Sequence, residues 1–300
     1  MPTPSILTVS APDGTRLRVQ VYAAATATGG PTGSLPGAPP GSPPGSSPTV
    51  VLAHGWTLTH ASWLPVVDRL TEQGLRVVTW DQRGHGRSGH IRGPATVRSL
   101  GDDLAAVLAV VAPDGPLVLG GHSMGGMTVM AYAGLHPREF TDRVTGVVLV
   151  STVADSLGQR LPVRTGRVMK LVARLPRIRA GRFVTLAGQR RLLFGPEADA
   201  AHVVLTREQV AATTLPTMGR FYQAIAEHDE APALSHLDGI PTVVLVGDRD
   251  RLTPPRDSER IAELVPHAQL RLLPGRGHML AYEATDEVVD AFRTVLGTPA

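Results

Sequence analysis

Six short apolar runs recur along this chain of 300 residues, and they constrain its fold more than any other feature. The runs occupy residues 49–53, 76–80, 117–120, 146–150, 242–246 and 269–273. Because most of them are continuous rather than alternating, they are typical of strands that are buried on both faces. Segments with helical spacing separate the runs. The sequence therefore predicts an α/β fold in which helices cover both faces of a mostly parallel sheet.

Local signals define several helices and one further pair of strands. Apolar spacing and helix-end signals predict helices at 62–73, 97–111 and 124–135. A last helix is expected at 285–296, with Thr285 as its N-cap. Near the start of the chain, residues 6–22 alternate between apolar and polar around Asp13-Gly14, which predicts a β-hairpin.

A compositional break separates this hairpin from the first apolar run. Residues 29–48 contain almost nothing but Gly, Pro, Ser and Thr. Such a segment buries too little apolar surface to fold, so we expect a disordered loop between two strands.

Composition narrows the chemistry that the chain can perform. It has no cysteine, which excludes disulfides, thiolate metal ligands and a cysteine nucleophile. No cluster of histidines and carboxylates has the spacing of metal ligands, and we expect neither a metal nor a cofactor. The first residues lack the pattern of a signal peptide, and no stretch reaches the roughly 18 apolar residues of a membrane span. We therefore expect a cytoplasmic protein.

The stretch GGHSMGG, residues 120–126, directly follows the third apolar run and opens a predicted helix. Within it, residues 121–125 fit the pattern G-x-S-x-G, which between a strand and a helix is typical of a nucleophile elbow. The flanking glycines are needed because a Cβ would collide with the neighbouring strand and helix. Such a turn presents the hydroxyl of Ser123 at a helix N-terminus, where the amide of Met124 is free to donate to an oxyanion.

A serine nucleophile needs a base, and the base needs an acidic partner. Asp248 and Asp250 follow the fifth run, and His278 follows the sixth. Because parallel strands end at one edge of a sheet, these loops can converge on Ser123. The order of the chain, with serine, then acid, then histidine, is the one that this motif requires.

Five motifs together resemble the α/β-hydrolase superfamily over nearly the whole chain. They are LAHGW, WDQRGHGRSG, GHSMGG, GDRD and GRGH. The resemblance implies an α/β-hydrolase fold with Ser123 as nucleophile, His278 as general base and Asp250 as the orienting acid. Asp248 is the close alternative for the acid, and Asp155 is a further one.

The same resemblance implies an oxyanion hole and a substrate pocket. The backbone amides of Trp56, after His-Gly, and Met124 are the expected oxyanion donors. No His-Gly-Gly-Gly loop is present, which separates the chain from the esterases built on that loop. Four large apolar side chains are the expected pocket walls, namely Trp56, Trp63, Met127 and Phe221. These walls favour a hydrophobic ester as substrate.

Residues 155–231 are too many for one crossover helix and resemble the helical cap of the superfamily. The predicted organisation is therefore a core formed by 1–154 and 232–300 with this cap inserted. Residues 156–196 contain nine arginines, Lys170 and no acidic residue. One interpretation is a solvated basic face on an amphipathic helix that buries Leu161, Met169, Val172 and Leu175. The other is docking to an anionic membrane or to an acidic carrier. Nucleic acid is not an expected partner.

The predicted function is that of a serine esterase or lipase-like hydrolase that cleaves a carboxylic ester through an acyl-enzyme on Ser123. Several alternatives stay open. The same triad could serve a cofactor-free perhydrolase or haloperoxidase-like enzyme, a carbon–carbon bond hydrolase, or a thioesterase or acyltransferase. A non-catalytic binding protein on this fold is the alternative outside enzymology. The sequence predicts neither the identity of the ester nor the oligomeric state.

Overall fold

The computed structural model describes residues 3–24, 47–93, 95–156 and 163–298. Within these ranges the strands are β1 Ser5–Ser10, β2 Arg16–Tyr22, β3 Thr49–Ala53, β4 Arg76–Asp81, β5 Leu117–His122, β6 Val144–Val150, β7 Thr242–Gly247 and β8 Gln269–Leu273. The helices are α1 Leu64–Glu72, α2 Val97–Val111, α3 Met124–Leu135, α4 Pro137–Arg143, α5 Val163–Val172, α6 Leu186–Leu193, α7 Ala200–Ala212, α8 Leu215–Glu227, α9 Pro255–Leu264, α10 Leu280–Glu283 and α11 Thr285–Val295. Short 3₁₀ helices cover His60–Trp63, Ala180–Phe183 and Ala231–Leu237.

The eight strands form one sheet in the order β1-β2-β4-β3-β5-β6-β7-β8. The strands from β4 to β8 in this order pair in parallel, whereas β1 pairs antiparallel with β2 and β2 pairs antiparallel with β4. The expected α/β fold with a mostly parallel sheet is confirmed. The predicted hairpin is also present, as β1 and β2.

Two hydrophobic cores lie on opposite faces of this sheet. In β3, Val51 and Ala53 pack on one core, and Val50 and Leu52 pack on the other. The strand therefore does not alternate between apolar and polar residues. One core is built against α2 and α3, and the other against α1 and α11. Both faces of the central strands are covered, so nearly every side chain there is apolar.

The predicted N-cap of the last helix is wrong. Helix α11 begins at Thr285, but its N-cap position is Ala284, which provides no side-chain bond. The hydroxyl of Thr285 donates instead to the carbonyl of Ala281, at 2.9 Å. This carbonyl is within reach because α10 runs almost directly into α11.

Four helices, α5 to α8, lie between β6 and β7, in the segment where the sequence predicts a cap. The division into 1–154, 155–231 and 232–300 stays a prediction. Met169 and Val172 of α5 are half-buried, but Leu175 is exposed, contrary to expectation, because α5 ends at Val172. Leu161 and most of the predicted disordered loop 29–48 lie outside the described residues. Within the described ranges, no helix is long and apolar enough to cross a membrane.

Candidate active site

Ser123 occupies a strained turn between the end of β5 and the start of α3. Its backbone angles are φ 53° and ψ −121°, a region that residues with a Cβ rarely adopt. A Cβ on Gly121 would overlap the carbonyl of Gly125, and one on Gly125 would overlap the carbonyl of Ala53. The glycines around Ser123 therefore let β5, α3 and the end of β3 approach one another. The turn has the geometry of a nucleophile elbow.

Two backbone amides near Ser123 have no hydrogen-bond partner among the described residues. Met124 is the first residue of α3, so its N–H has no carbonyl one turn earlier in the helix. Trp56 follows β3, in a loop that lines the same cavity as Ser123. Neither amide donates a hydrogen bond to a residue in the described part of the chain. Both are available to an oxyanion that forms beside Ser123.

His278 and Asp250 form a buried pair at the ends of the loops after β8 and β7. Nδ1 of His278 donates to Oδ2 of Asp250 at 2.7 Å. The other carboxylate oxygen, Oδ1, accepts from the amides of Leu252 and Thr253, each at 2.9 Å. Burial alone would raise the pKa of Asp250, but the charge and hydrogen bond of His278 and these amides outweigh it and lower the pKa. Asp250 is therefore ionised and orients the imidazole.

The two alternative acids lie elsewhere. Asp248 accepts a hydrogen bond from the amide of Gly275 at 2.8 Å and lies 3.6 Å from the guanidinium of Arg249. Asp155 pairs with Arg260 at 3.5 Å. Of the three candidate carboxylates, only Asp250 contacts His278.

Ser123 and His278 line the same cavity. Because Nδ1 of His278 is hydrogen-bonded to Asp250, Nε2 is the ring nitrogen that can accept a proton from the cavity side. The hydroxyl of Ser123 forms no hydrogen bond to His278 in this structure. Catalytic hydrogen bonds are often long without substrate and tighten in the Michaelis complex, so the shared cavity is compatible with a nucleophile and its base.

The cavity has a volume of about 260 Å³ and a mostly apolar wall. Trp56 lines it, as expected, but Trp63, Met127 and Phe221 do not. These three side chains are almost wholly buried in the cores, and Nε1 of Trp63 donates to the carbonyl of Ala53 at 3.0 Å. The predicted walls are wrong at these positions because large apolar side chains near the sheet pack on it. Half of the lining residues come from the segment between β6 and β7, namely Ala180, Phe183, Val184, Gln189, Leu192, Leu193, Val210, Leu215 and Met218.

Two buried histidines hold the loop that carries Trp56. Nδ1 of His54 donates to the carbonyl of Gly55, and its Nε2 accepts from the amide of Gln82. Nε2 of His85 accepts from the amide of Thr57, which adopts a positive φ of 62°. Both rings act as neutral tautomers, since burial lowers the pKa of His54 to about 4 and that of His85 to about 3. These two histidines hold the loop in place as neutral rings.

A third histidine packs directly on the candidate base. His122 lies 4.7 Å from His278 between ring centroids, and its Nε2 donates to the carbonyl of His278 at 2.9 Å. Burial, with the neighbouring His278, lowers the pKa of His122 to about 3. The neutral ring holds the backbone of His278 without adding charge beside it.

Two positioning residues were missed by sequence reasoning. The hydroxyl of Thr253 donates to Oδ2 of Asp250 at 2.9 Å, and its spacing of three residues after an aspartate is a signal for this type of turn. Glu283 accepts hydrogen bonds from the amides of Gly195, Gly277 and Met279 at 2.7 to 3.2 Å. It thus holds the two residues that flank His278. No local pattern points to this role of Glu283.

The residues of the motif WDQRGHGRSG form ion pairs and hydrogen bonds that support the fold. Arg83 is buried and pairs with Asp103 at 2.6 Å and with Asp13 at 2.7 Å. Asp81 accepts from His60 and from the amide of Arg87. Burial raises the pKa of Asp81, but these partners and nearby histidines lower it overall to about 2.

The mostly parallel sheet, the serine elbow after β5 and the acid and histidine after β7 and β8 define an α/β hydrolase. Among the residues that the structure describes, no group of three or more His, Cys, Asp or Glu side chains could hold a metal ion. The family described as serine aminopeptidase, S33, matches residues 45–285. The chain belongs to this family of the α/β-hydrolase superfamily.

Similar proteins carry several activities. A non-heme haloperoxidase from Rhodococcus erythropolis is 29% identical over 251 residues, which cover 80% of this chain and 88% of the relative. A monoacylglycerol lipase from Mycolicibacterium smegmatis is 29% identical over 250 residues, covering 80% and 84%. A solved thermophilic esterase from Thermogutta terrifontis matches with a TM-score of 0.74 at 24% identity, over 96% of this chain and 97% of that one. The last likeness shows the fold.

Proposed function

We propose that this hydrolase cleaves a carboxylic ester through an acyl-enzyme on Ser123. One observation carries the proposal: a serine on a strained elbow and a histidine held by a buried carboxylate open into one apolar cavity. The name of the monoacylglycerol lipase relative supports ester chemistry.

In the proposed reaction each step falls to one group. Ser123 Oγ attacks the acyl carbon while its proton passes to Nε2 of His278. The developing oxyanion accepts from the amides of Met124 and Trp56, and Asp250 stabilises the imidazolium. The C–O bond to the alcohol then breaks, and His278 returns the proton to the leaving alcohol. A water molecule then attacks the acyl-enzyme as its proton passes to Nε2 of His278. The bond between the acyl carbon and Ser123 Oγ breaks, Oγ takes up that proton, and the carboxylic acid is released.

The cavity wall favours an apolar acyl group. Leu193, Leu215 and Met279 line it together with Trp56, and no carboxylate of a described residue does. An acyl chain buried there gains about 0.8 kcal/mol for each methylene. We therefore propose that the substrate is an ester with a hydrophobic acyl chain, as the sequence also predicts.

Labelling with a fluorophosphonate probe tests the nucleophile, because this probe phosphonylates an activated serine. The native chain should be labelled and should hydrolyse p-nitrophenyl esters, and Ser123→Ala should lose both properties while keeping its thermal unfolding temperature. Asp248→Asn is the control and should keep both. A folded native chain that takes no label refutes the proposal and favours the binding-protein alternative. Thioesters and β-diketones in the same panel separate thioesterase and carbon–carbon bond hydrolase activity.

Perhydrolysis is the second candidate, and the haloperoxidase relative favours it. On the same acyl-enzyme, hydrogen peroxide would take the place of water and release a peroxyacid. The assay measures peroxyacid from hydrogen peroxide and a short-chain ester, with Ser123→Ala as control. No Ser123-dependent peroxyacid under conditions of active ester hydrolysis excludes this second activity.

A further inference from the structure

Large exposed apolar side chains are concentrated in the segment that covers the cavity. Among the described residues, nine of the fifteen such side chains lie between positions 168 and 205. They are Val168, Leu171, Leu175, Ile178, Phe183, Leu186, Leu192, Val204 and Leu205. A soluble monomer rarely exposes this much apolar surface in one region unless the region contacts something.

Part of this apolar surface forms the rim of the cavity. Phe183, Leu192 and Leu252 line the cavity, yet 70%, 43% and 36% of their surface is exposed. A side chain that lines a cavity and also faces solvent lies at its mouth. The opening that leads to Ser123 is therefore bordered by apolar side chains.

Exposed basic side chains occupy the same stretch of the chain as these apolar side chains. Among the described residues of 156–196, eight basic side chains are exposed and form no ion pair with any described carboxylate. They are Arg164, Arg167, Lys170, Arg174, Arg177, Arg179, Arg190 and Arg191. Residues 156–196 carry a charge of +10, and the whole chain carries +3, so the rest of the chain carries −7. The excess of positive charge therefore lies in a segment that also holds seven of the nine exposed apolar side chains.

Some of these cations lie at the mouth itself. Arg190 and Arg191 directly precede the rim residue Leu192 in α6. The guanidinium of Arg251, which precedes the rim residue Leu252, donates to the carbonyl of Arg191. Charge and apolar surface thus meet around the opening of the cavity.

We propose that this surface, the rim with α5 and α6, docks on an anionic lipid surface and draws its ester from there. The inference rests on the proposed function for the identity of the substrate, which would be an amphiphilic ester whose acyl group enters the cavity from the membrane. Cations attract the anionic headgroups, and the exposed apolar side chains enter the boundary between headgroups and acyl chains. An acidic carrier protein would pair with the arginines but would leave side chains such as Phe183 without an apolar environment, so the lipid surface accounts for more of the observations.

Vesicle sedimentation with full-length Ser123→Ala protein tests the docking without hydrolysis of the lipid. Vesicles of phosphatidylcholine with phosphatidylglycerol should bind the protein, vesicles of pure phosphatidylcholine should bind it far more weakly, and added salt should release it. Arg190→Gln with Arg191→Gln should weaken binding by about fivefold for each charge removed. Arg69→Gln with Arg138→Gln removes the same charge from exposed positions elsewhere and should change binding little.

The apolar contribution has its own matched pair of variants. Leu186 and Leu272 are 47% and 51% exposed, but only Leu186 lies in α6 near the rim. Leu186→Ser should weaken vesicle binding several-fold, and Leu272→Ser on β8 should not.

Three results would overturn the docking: no binding to anionic vesicles, equal losses in the rim and control variants, or binding only to an acidic carrier protein. The outcome is separate from that of the proposed function. If the native chain binds vesicles but takes no fluorophosphonate label, the docking surface is supported and only the proposed ester hydrolysis is refuted. If the chain is labelled but does not bind vesicles, the proposed hydrolase activity is supported and the docking is refuted.

Discussion

Asp250 accepts a hydrogen bond from Nδ1 of His278 at 2.7 Å, and this contact distinguishes it from Asp248, which lies two positions earlier in the chain. Asp250 is 4% exposed and faces the histidine, whereas Asp248 is tied to Gly275 on the other side of the loop. The turn after β7 thus directs one carboxylate toward the cavity and the other away from it. The orientation of the base depends on Asp250.

Asp250→Asn should therefore reduce turnover far more than Asp248→Asn. The amide cannot stabilise the imidazolium and favours the wrong tautomer, so kcat should fall by about 10³ to 10⁴. Ester hydrolysis by the two variants, measured beside their thermal unfolding, checks this. Equal losses in both folded variants would show that Asp250 is not the orienting acid.

Glu283→Gln should impair catalysis although Glu283 does not touch the cavity. Its carboxylate accepts from three amides around His278, and the NH₂ group of glutamine would face donors instead. A displacement of His278 of about 1 Å can cost about 10²-fold in kcat. The effect should lie in kcat rather than in KM, and Glu287→Gln, at an exposed position of α11, is the control. A variant with full kcat would assign Glu283 a purely structural role.

Stability should fall as the pH is lowered from 7 toward 5. His54, His85 and His122 are neutral in the fold, with pKa values of about 4, 3 and 3, against 6.5 in the unfolded chain. The unfolded state therefore binds more protons below pH 6.5, and each histidine costs the fold on the order of 1–2 kcal/mol by pH 5. The stabilisation is fully present above pH 6.5 and is lost progressively toward pH 3. Denaturant unfolding at several pH values measures the slope.

His85→Gln isolates one of these contributions. At pH 7 the free energy of unfolding of this variant should be lower than that of the native chain. It should also depend less steeply on pH. His267→Gln, at an exposed position, should leave the slope unchanged. An identical slope in His85→Gln and the native chain would mean that His85 is not held neutral.

Met218→Ala should shift the preference toward longer acyl chains. Met218 lines the cavity, and its truncation makes room that an acyl chain can fill. The ratio of kcat/KM for octanoate to that for butyrate esters should rise by about fourfold for each further methylene accommodated. Met169→Ala, in α5 and outside the cavity wall, is the matched control. An unchanged ratio would place the acyl chain elsewhere.

Much of the sheet could be predicted because its signals are local. The runs 49–53 and 269–273 match β3 and β8 residue for residue, and helix 124–135 matches α3. Continuous apolar runs and glycine-bounded turns depend on neighbours in the chain, which the sequence displays directly. The N-cap of α11 could not be predicted, because it depends on a carbonyl in the preceding short helix α10.

The sequence by itself determined the α/β architecture and the positions of Ser123, Asp250 and His278 at the carboxyl ends of strands, since strand periodicity and the order of motifs are properties of the chain. Only the tertiary structure decided which aspartate contacts His278, that Glu283 holds its loop, and that Trp63, Met127 and Phe221 belong to the cores. These outcomes depend on packing between segments far apart in sequence. An apolar side chain suits both a core and a cavity wall, so its identity alone cannot distinguish the two.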